Sequence, residues 1–120
     1  MRTSQERGLS ERAVGPDLVL VTGEEGSGAV VSVQGELDAY SAAGLEAEVA
    51  KLLGRRVQEV ALDLSGTRFC DSSGLRAILT VERRLASAGG HLTLRGPSEP
   101  VRRLLDVSGL LSHFDVEPVS

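Results

Sequence analysis

Between residues 69 and 79 the chain reads FCDSSGLRAIL. An acid, two hydroxyls and a glycine stand between an apolar run and an apolar pattern of helical spacing. A nucleophilic serine would need a base and an oxyanion pocket. The GxSxG turn that usually supplies them is absent, because Cys70 stands two residues before Ser72 and Asp71 two before Ser73. Neither His91 nor His113 lies in a context that marks a base. A phosphate-cradling loop is excluded too, since GxxxxGK[ST] does not occur. Two readings remain open on the residues alone. Asp71 or a serine can cap the helix by accepting from its free N–H groups, a contribution of about 1 kcal/mol. Alternatively, a hydroxyl is itself the substrate of a phosphoryl transfer. A phosphoryl group adds about -1.5 to -2 charges, which a helix N-terminus tolerates. With Asp71 adjacent and Asp38 at the end of another strand, that charge would sit among acids. Fold tolerance combined with local repulsion is a physical basis for a binding switch.

The elements that must position this stretch follow from apolar periodicity. Residues 1–17 mix charges, Ser and Gly without apolar period and are expected to form a flexible tail, leaving 18–120 as one domain. Leu18–Val21 and Ala29–Val33 read as two antiparallel strands joined by a glycine-rich turn. From Tyr40 to Leu53 the period becomes helical, with Leu45, Val49, Leu52 and Leu53 on one face. Gly54 ends that helix, with Lys51, Arg55 and Arg56 at its C-terminal side. Val60–Leu64, apolar at most positions, reads as a central parallel strand. After the opening stretch, Leu75, Ile78, Leu79, Val81 and Leu85 stripe a second helix to about Ala88. His91–Leu94 is a further strand, and Val101, Leu104 and Leu105 mark a third helix ending near Gly109. A short last strand begins at Val116. The alternation predicts an α/β domain with a mixed sheet of four to five strands and helices packed mainly on one face. Asp71, Ser72 and Ser73 then lie where a strand runs into a helix, the end of an open α/β sheet that usually presents ligand sites.

Composition narrows the function classes. The 120 residues contain three aromatics, Tyr40, Phe69 and Phe114, so the core must be aliphatic and little is available to stack on bases. A net charge of -4 argues against phosphate-backbone binding, so no nucleic-acid partner is expected. The pairs Arg55-Arg56, Arg83-Arg84 and Arg102-Arg103 read as solvated helix faces and ends. No apolar run approaches the ~20 residues that span a bilayer, and the N-terminus lacks the apolar segment of a secretory signal. A cytoplasmic protein without membrane association is expected. Cys70 is the single cysteine, so it reads as a small buried filler. No metal site or cofactor motif is present.

Taken together, FCDSSGLRAIL after VALDLSGTR resembles the hallmark of STAS domains, in particular bacterial anti-sigma factor antagonists. VVSVQGELDAYSAAGL resembles the family's second element, and the likeness runs roughly from Leu18 to Val116. The resemblance implies a regulator rather than an enzyme. It would bind an anti-sigma factor that is a serine kinase of the GHKL ATPase type and so free a sigma factor for RNA polymerase. The kinase would phosphorylate Ser72, the serine directly after the motif aspartate, and switch binding off. A PP2C-type phosphatase would restore it. Asp38, Asp71, Ser72, Ser73, Gly74 and Arg76 are the partner-binding residues so implied, with Ser73 a helix-start hydroxyl rather than the acceptor. Two positions depart from the family pattern. Tyr40 interrupts a run of small residues, which bears on partner choice, and Cys70 replaces a larger apolar side chain. The alternative is an unphosphorylated STAS module acting as a structural subunit of a larger complex or lipid-transport assembly. The intact DSSG favours the switch, because a structural module needs no acceptor at this turn.

Overall fold

A computed structural model describes residues 9–118. Along the chain lie β1 (Ser10–Val14), β2 (Leu18–Glu25), β3 (Gly28–Leu37), α1 (Ala42–Gly54) and β4 (Glu59–Asp63). They are followed by β5 (Thr67–Cys70), α2 (Ser72–Ser87), β6 (His91–Arg95), α3 (Glu99–Val107) and β7 (Asp115–Glu117). Six strands form one path in the order β1-β2-β3-β4-β6-β7, and β5 pairs with β3 off that path. The strands β1, β2 and β3 are antiparallel neighbours, while β4, β5, β6 and β7 join in parallel.

The burial pattern shows why the helices gather on one face. Leu18 and Leu20 of β2, Ala29, Val31 and Val33 of β3, and Leu92 and Leu94 of β6 are buried. The residues between them, such as Val19, Val21, Val30 and Thr93, are only half-buried. Strict alternation of this kind places one face against a core and leaves the other open. Only β4 is buried at three successive positions, Val60, Ala61 and Leu62, as its place between β3 and β6 requires. Against the core face lie Leu45, Val49 and Leu52 of α1, Ala77, Ile78, Val81 and Leu85 of α2, and Val101 and Leu105 of α3. The core is aliphatic, and Phe114 is its one aromatic among the described residues.

Two strands were not expected, so the sheet has seven strands where four to five were anticipated. The first lies inside the stretch read as a flexible tail. Ser10–Val14 pairs with β2 from Ser10↔Thr22 to Val14↔Leu18, and the rest of that stretch, residues 1–8, lies outside the described residues. This edge strand is exposed along nearly its whole length, so it carries no apolar period to read. Backbone ladder bonds hold it, together with Arg12 Nε, which lies 3.6 Å from Glu48 Oε1. Glu48 is buried on α1, where Thr22 Oγ1 donates to its Oε2 at 2.7 Å and Lys51 Nζ lies 3.7 Å from Oε1. A buried carboxylate needs such partners, and two of its three come from β1 and β2. The second unexpected strand, β5, pairs with the end of β3 after a register shift between Gly35 and Glu36. Gly35 has φ 122°, and a Cβ there would lie 2.0 Å from the Asp17 carbonyl oxygen, so only glycine fits.

Candidate modification and partner-binding site

Two strand-to-helix turns stand side by side at one end of the sheet. One joins β3 to α1 through Asp38–Ser41, and the other joins β5 to α2 through Asp71. They are neighbours because β5 runs parallel to β3, with Glu36 opposite Phe69 and Leu37 opposite Cys70. The ladder continues as the Asp71 N–H donates to the Leu37 carbonyl at 3.3 Å. Asp38 and Asp71 therefore follow paired residues and emerge together, as the two sequence motifs required.

In the first turn the carboxylate works locally. Asp38 Oδ1 accepts the backbone N–H groups of Tyr40 at 3.0 Å and Ser41 at 3.2 Å. Ser41 Oγ donates to the Glu36 carbonyl at 2.9 Å and accepts the Asp38 N–H at 3.0 Å. Ser41 is 1% exposed, so this hydroxyl is a closed structural tie. Such reciprocal side-chain and backbone bonding fixes a turn in one conformation.

The second turn is built differently. Asp71 is the N-cap of α2, and its Oδ1 accepts the Gly74 N–H at 3.0 Å. Its carbonyl takes the Leu75 N–H at 2.9 Å. Ser72, the first residue of the helix, is exposed, and among the described residues its hydroxyl has no hydrogen-bond partner. Ser73 is half-buried. Helix geometry leaves the first N–H groups without intrahelical acceptors, so Ser72 and Ser73 present donors and a partial positive charge beside that hydroxyl. Arg76 is exposed four residues on, the spacing that places two side chains on one helix face.

Gly74, which the resemblance places among the partner-binding residues, is buried at the crossing of α2 over the end of β3, so it makes a close backbone approach instead of facing a partner. A Cβ at Gly74 would lie 2.5 Å from the Leu37 carbonyl oxygen and 2.8 Å from Cys70 Sγ. Its function is close packing, and it holds Asp71 and Ser72 against β3. Cys70 is buried as expected. Burial first, and then the negative charge of Asp71, push its thiol up to about 12, so it stays protonated and poorly nucleophilic at neutral pH.

Ser41, which ties the first turn, is not singled out by the sequence motifs. The spacing of Asp38 and Ser41, three apart before an apolar helix, is the available signal. Recesses of about 220 Å³ on the open sheet face and about 600 Å³ beside α2 are lined by other residues. Among the described residues no group of His, Cys, Asp and Glu could hold a metal ion, and no helix is long and apolar enough to cross a membrane.

The fold thus carries a capped aspartate-serine turn beside a second acidic turn at one end of a one-sided α/β sheet. The family model described as "Mlab, STAS domain" matches residues 20–112, and the chain belongs to the STAS domain family. It is 33% identical over 91 residues to the anti-sigma F factor antagonist of Paenibacillus polymyxa, covering 75% of each chain. It is 30% identical over 90 residues to the anti-sigma-B factor antagonist of Bacillus subtilis, covering 75% of this chain and 82% of the relative. Its fold matches the anti-sigma factor antagonist SpoIIAA in the unphosphorylated form with a TM-score of 0.73 and 23% identity, over 84% of this chain and 88% of the other. SpoIIAA in the phosphorylated form matches with a TM-score of 0.65 and 21% identity, over 93% and 91% of the two chains.

Proposed function

We propose that this chain is an anti-sigma factor antagonist whose binding is switched by phosphorylation of Ser72. The observation that carries the reading is the contrast between a rigid, capped turn and a free hydroxyl on it. Asp71 fixes the start of α2, while Ser72 is exposed and open to a phosphoryl donor. The names of the relatives support the same function.

In the unmodified state the surface made by Asp38, Asp71, Ser72, Ser73 and Arg76 binds an anti-sigma factor, which then releases its sigma factor. That anti-sigma factor is a serine kinase of the GHKL ATPase type, and the nucleotide belongs to it. The Ser72 hydroxyl attacks the γ-phosphorus of ATP, its proton passes to a base of the kinase, and ADP leaves. The product carries about -1.5 to -2 new charges on the turn that holds Asp71, next to the turn that holds Asp38. Free N–H groups at the start of α2 keep the fold intact, so the change is felt by the partner and not by the core. Like charge placed in an interface costs affinity. A PP2C-type phosphatase hydrolyses the ester and restores binding.

Titration of the anti-sigma factor with Ser72→Ala and Ser72→Glu tests this. Ser72→Ala is expected to bind like the unmodified protein and to resist phosphorylation. Ser72→Glu is expected to bind at least about tenfold more weakly, as an introduced like charge implies. Equal affinities for the two variants would remove the switch.

A further inference from the structure

Two helices of the chain begin on the same plan, and one of them lacks a charge. α3 is capped by Ser98 and opens with Glu99, whose Oε2 lies 3.2 Å from Nη2 of Arg103 four residues on. α2 is capped by Asp71 and opens with Ser72, and Arg76 stands four residues on. Counted from the cap, Ser72 takes the place of Glu99 and Arg76 the place of Arg103. The first turn of α2 contains no acidic side chain, although the free N–H groups there favour one. Arg76 is exposed. Among the described residues it has no ion pair, whereas Arg12, Arg55, Arg95 and Arg103 each lie against a carboxylate. Side chains on a helix lean toward its N-terminus, so Arg76 leans back over Ser72. Residues four apart have Cβ atoms about 5–6 Å from one another, and the better order puts the acidic member first. A guanidinium at that distance can grip two phosphoryl oxygens at once.

We propose that Arg76 is the internal counter-ion of a phosphoryl group on Ser72, so that modification completes on α2 the ion pair that Glu99 and Arg103 already make on α3. The proposal rests on the reading of Ser72 as the kinase target, and it adds a second component to the switch. Before modification the guanidinium is free to meet the partner. Afterwards it is turned to the phosphate, so the interface gains negative charge and loses an available positive one. Both changes weaken a contact that charge complementarity favours.

The test uses the full chain with phosphoserine inserted at position 72 during translation, so that no kinase is needed to place the phosphate. Its second ionisation is followed by phosphorus NMR. The midpoint is expected about half a unit lower in the parent than in Arg76→Gln, the size of an exposed i,i+4 ion pair doubled for a phosphate. Arg76→Lys is expected between the two, since an ammonium is a point charge without the planar fork. Arg83→Gln, about 16 Å along the helix from Ser72, is expected to titrate as the parent does. Asp38 and Asp71 are the same in every variant, so the difference reports Arg76. A midpoint shared by the parent and Arg76→Gln to within about a tenth of a unit overturns the pairing and leaves the Ser72 reading standing. The reading itself is tested by incubating the unmodified chain with ATP and anti-sigma factor kinases from its own genome. If none of them modifies Ser72, the reading fails, and the pair falls with it as a regulatory device.

Discussion

The turns before α1 and α2 use the same residue types to opposite ends. Each begins with an aspartate whose carboxylate accepts backbone N–H groups, and each contains a serine at the start of a helix. Ser41 is buried and bonded to Glu36 and Asp38. Ser72 is exposed, while Asp71 alone supplies the cap. The first serine is part of the scaffold, and the second is free to be changed without cost to the scaffold. A hydroxyl becomes a regulatory site when a neighbour has already done its structural work.

The contrast can be broken or sharpened by substitution. The largest effect belongs to the packing that holds the second turn. Gly74→Ala drives a Cβ into the Leu37 carbonyl, and chemical denaturation should show a loss of about 3 kcal/mol, the upper range for overpacking. Gly54→Ala, where a Cβ meets nothing within 4 Å, should be neutral or stabilising by up to about 1 kcal/mol. Next come the two serines. Ser41→Ala strands the Asp38 N–H and the Glu36 carbonyl and should cost about 2 kcal/mol. Ser72→Ala should stay within about 0.5 kcal/mol of the parent. Equal costs at the two serines would erase the distinction between scaffold and switch. Asp71→Ala removes one cap bond and should cost about 1 kcal/mol, less than Ser41→Ala.

A separate effect belongs to alkaline pH. The Cys70 thiol has its pKa raised from an ordinary 9.0 to about 12 in the folded chain. The unfolded thiol loses its proton first, so the stability this group contributes is complete below about pH 9 and is lost progressively toward pH 12. Cys70→Ala should remove that part of the alkaline slope in pH-dependent melting, and an unchanged slope would contradict the burial of the thiol.

Much of this arrangement was legible in the residues. The stripes of Leu45, Val49 and Leu52 and of Ile78, Val81 and Leu85 announced two helices because each faces a core on one side only. Val60–Leu62 announced a central strand because it is buried on both faces. The regions that escaped reading depend on partners distant in sequence. Ser10–Val14 is a strand only because β2 offers an edge, and its charged, exposed residues carry no periodic signal. Thr67–Cys70 alternates too briefly to be distinguished from a loop, and its register on β3 depends on a shift at Gly35. At the site, DSSG marked a strand-to-helix turn, and the structure leaves its first serine exposed. The motif did not show that Gly74 faces inward, because only the crossing of α2 over Leu37 decides that. Glu48 lies on the apolar face of α1, a place where sequence alone predicts no carboxylate; Thr22, Lys51 and an arginine of β1 make it tolerable there.

The central claim is that Ser72, and not its structural counterpart, is the acceptor. Intact mass with site mapping, after incubation with ATP and anti-sigma factor kinases from the same genome, tests it most directly. The account predicts one added phosphate on Ser72, none on Ser41 or Ser73, and none at all in Ser72→Ala. Phosphate on another residue, or a stable complex with a kinase that never modifies Ser72, would contradict it.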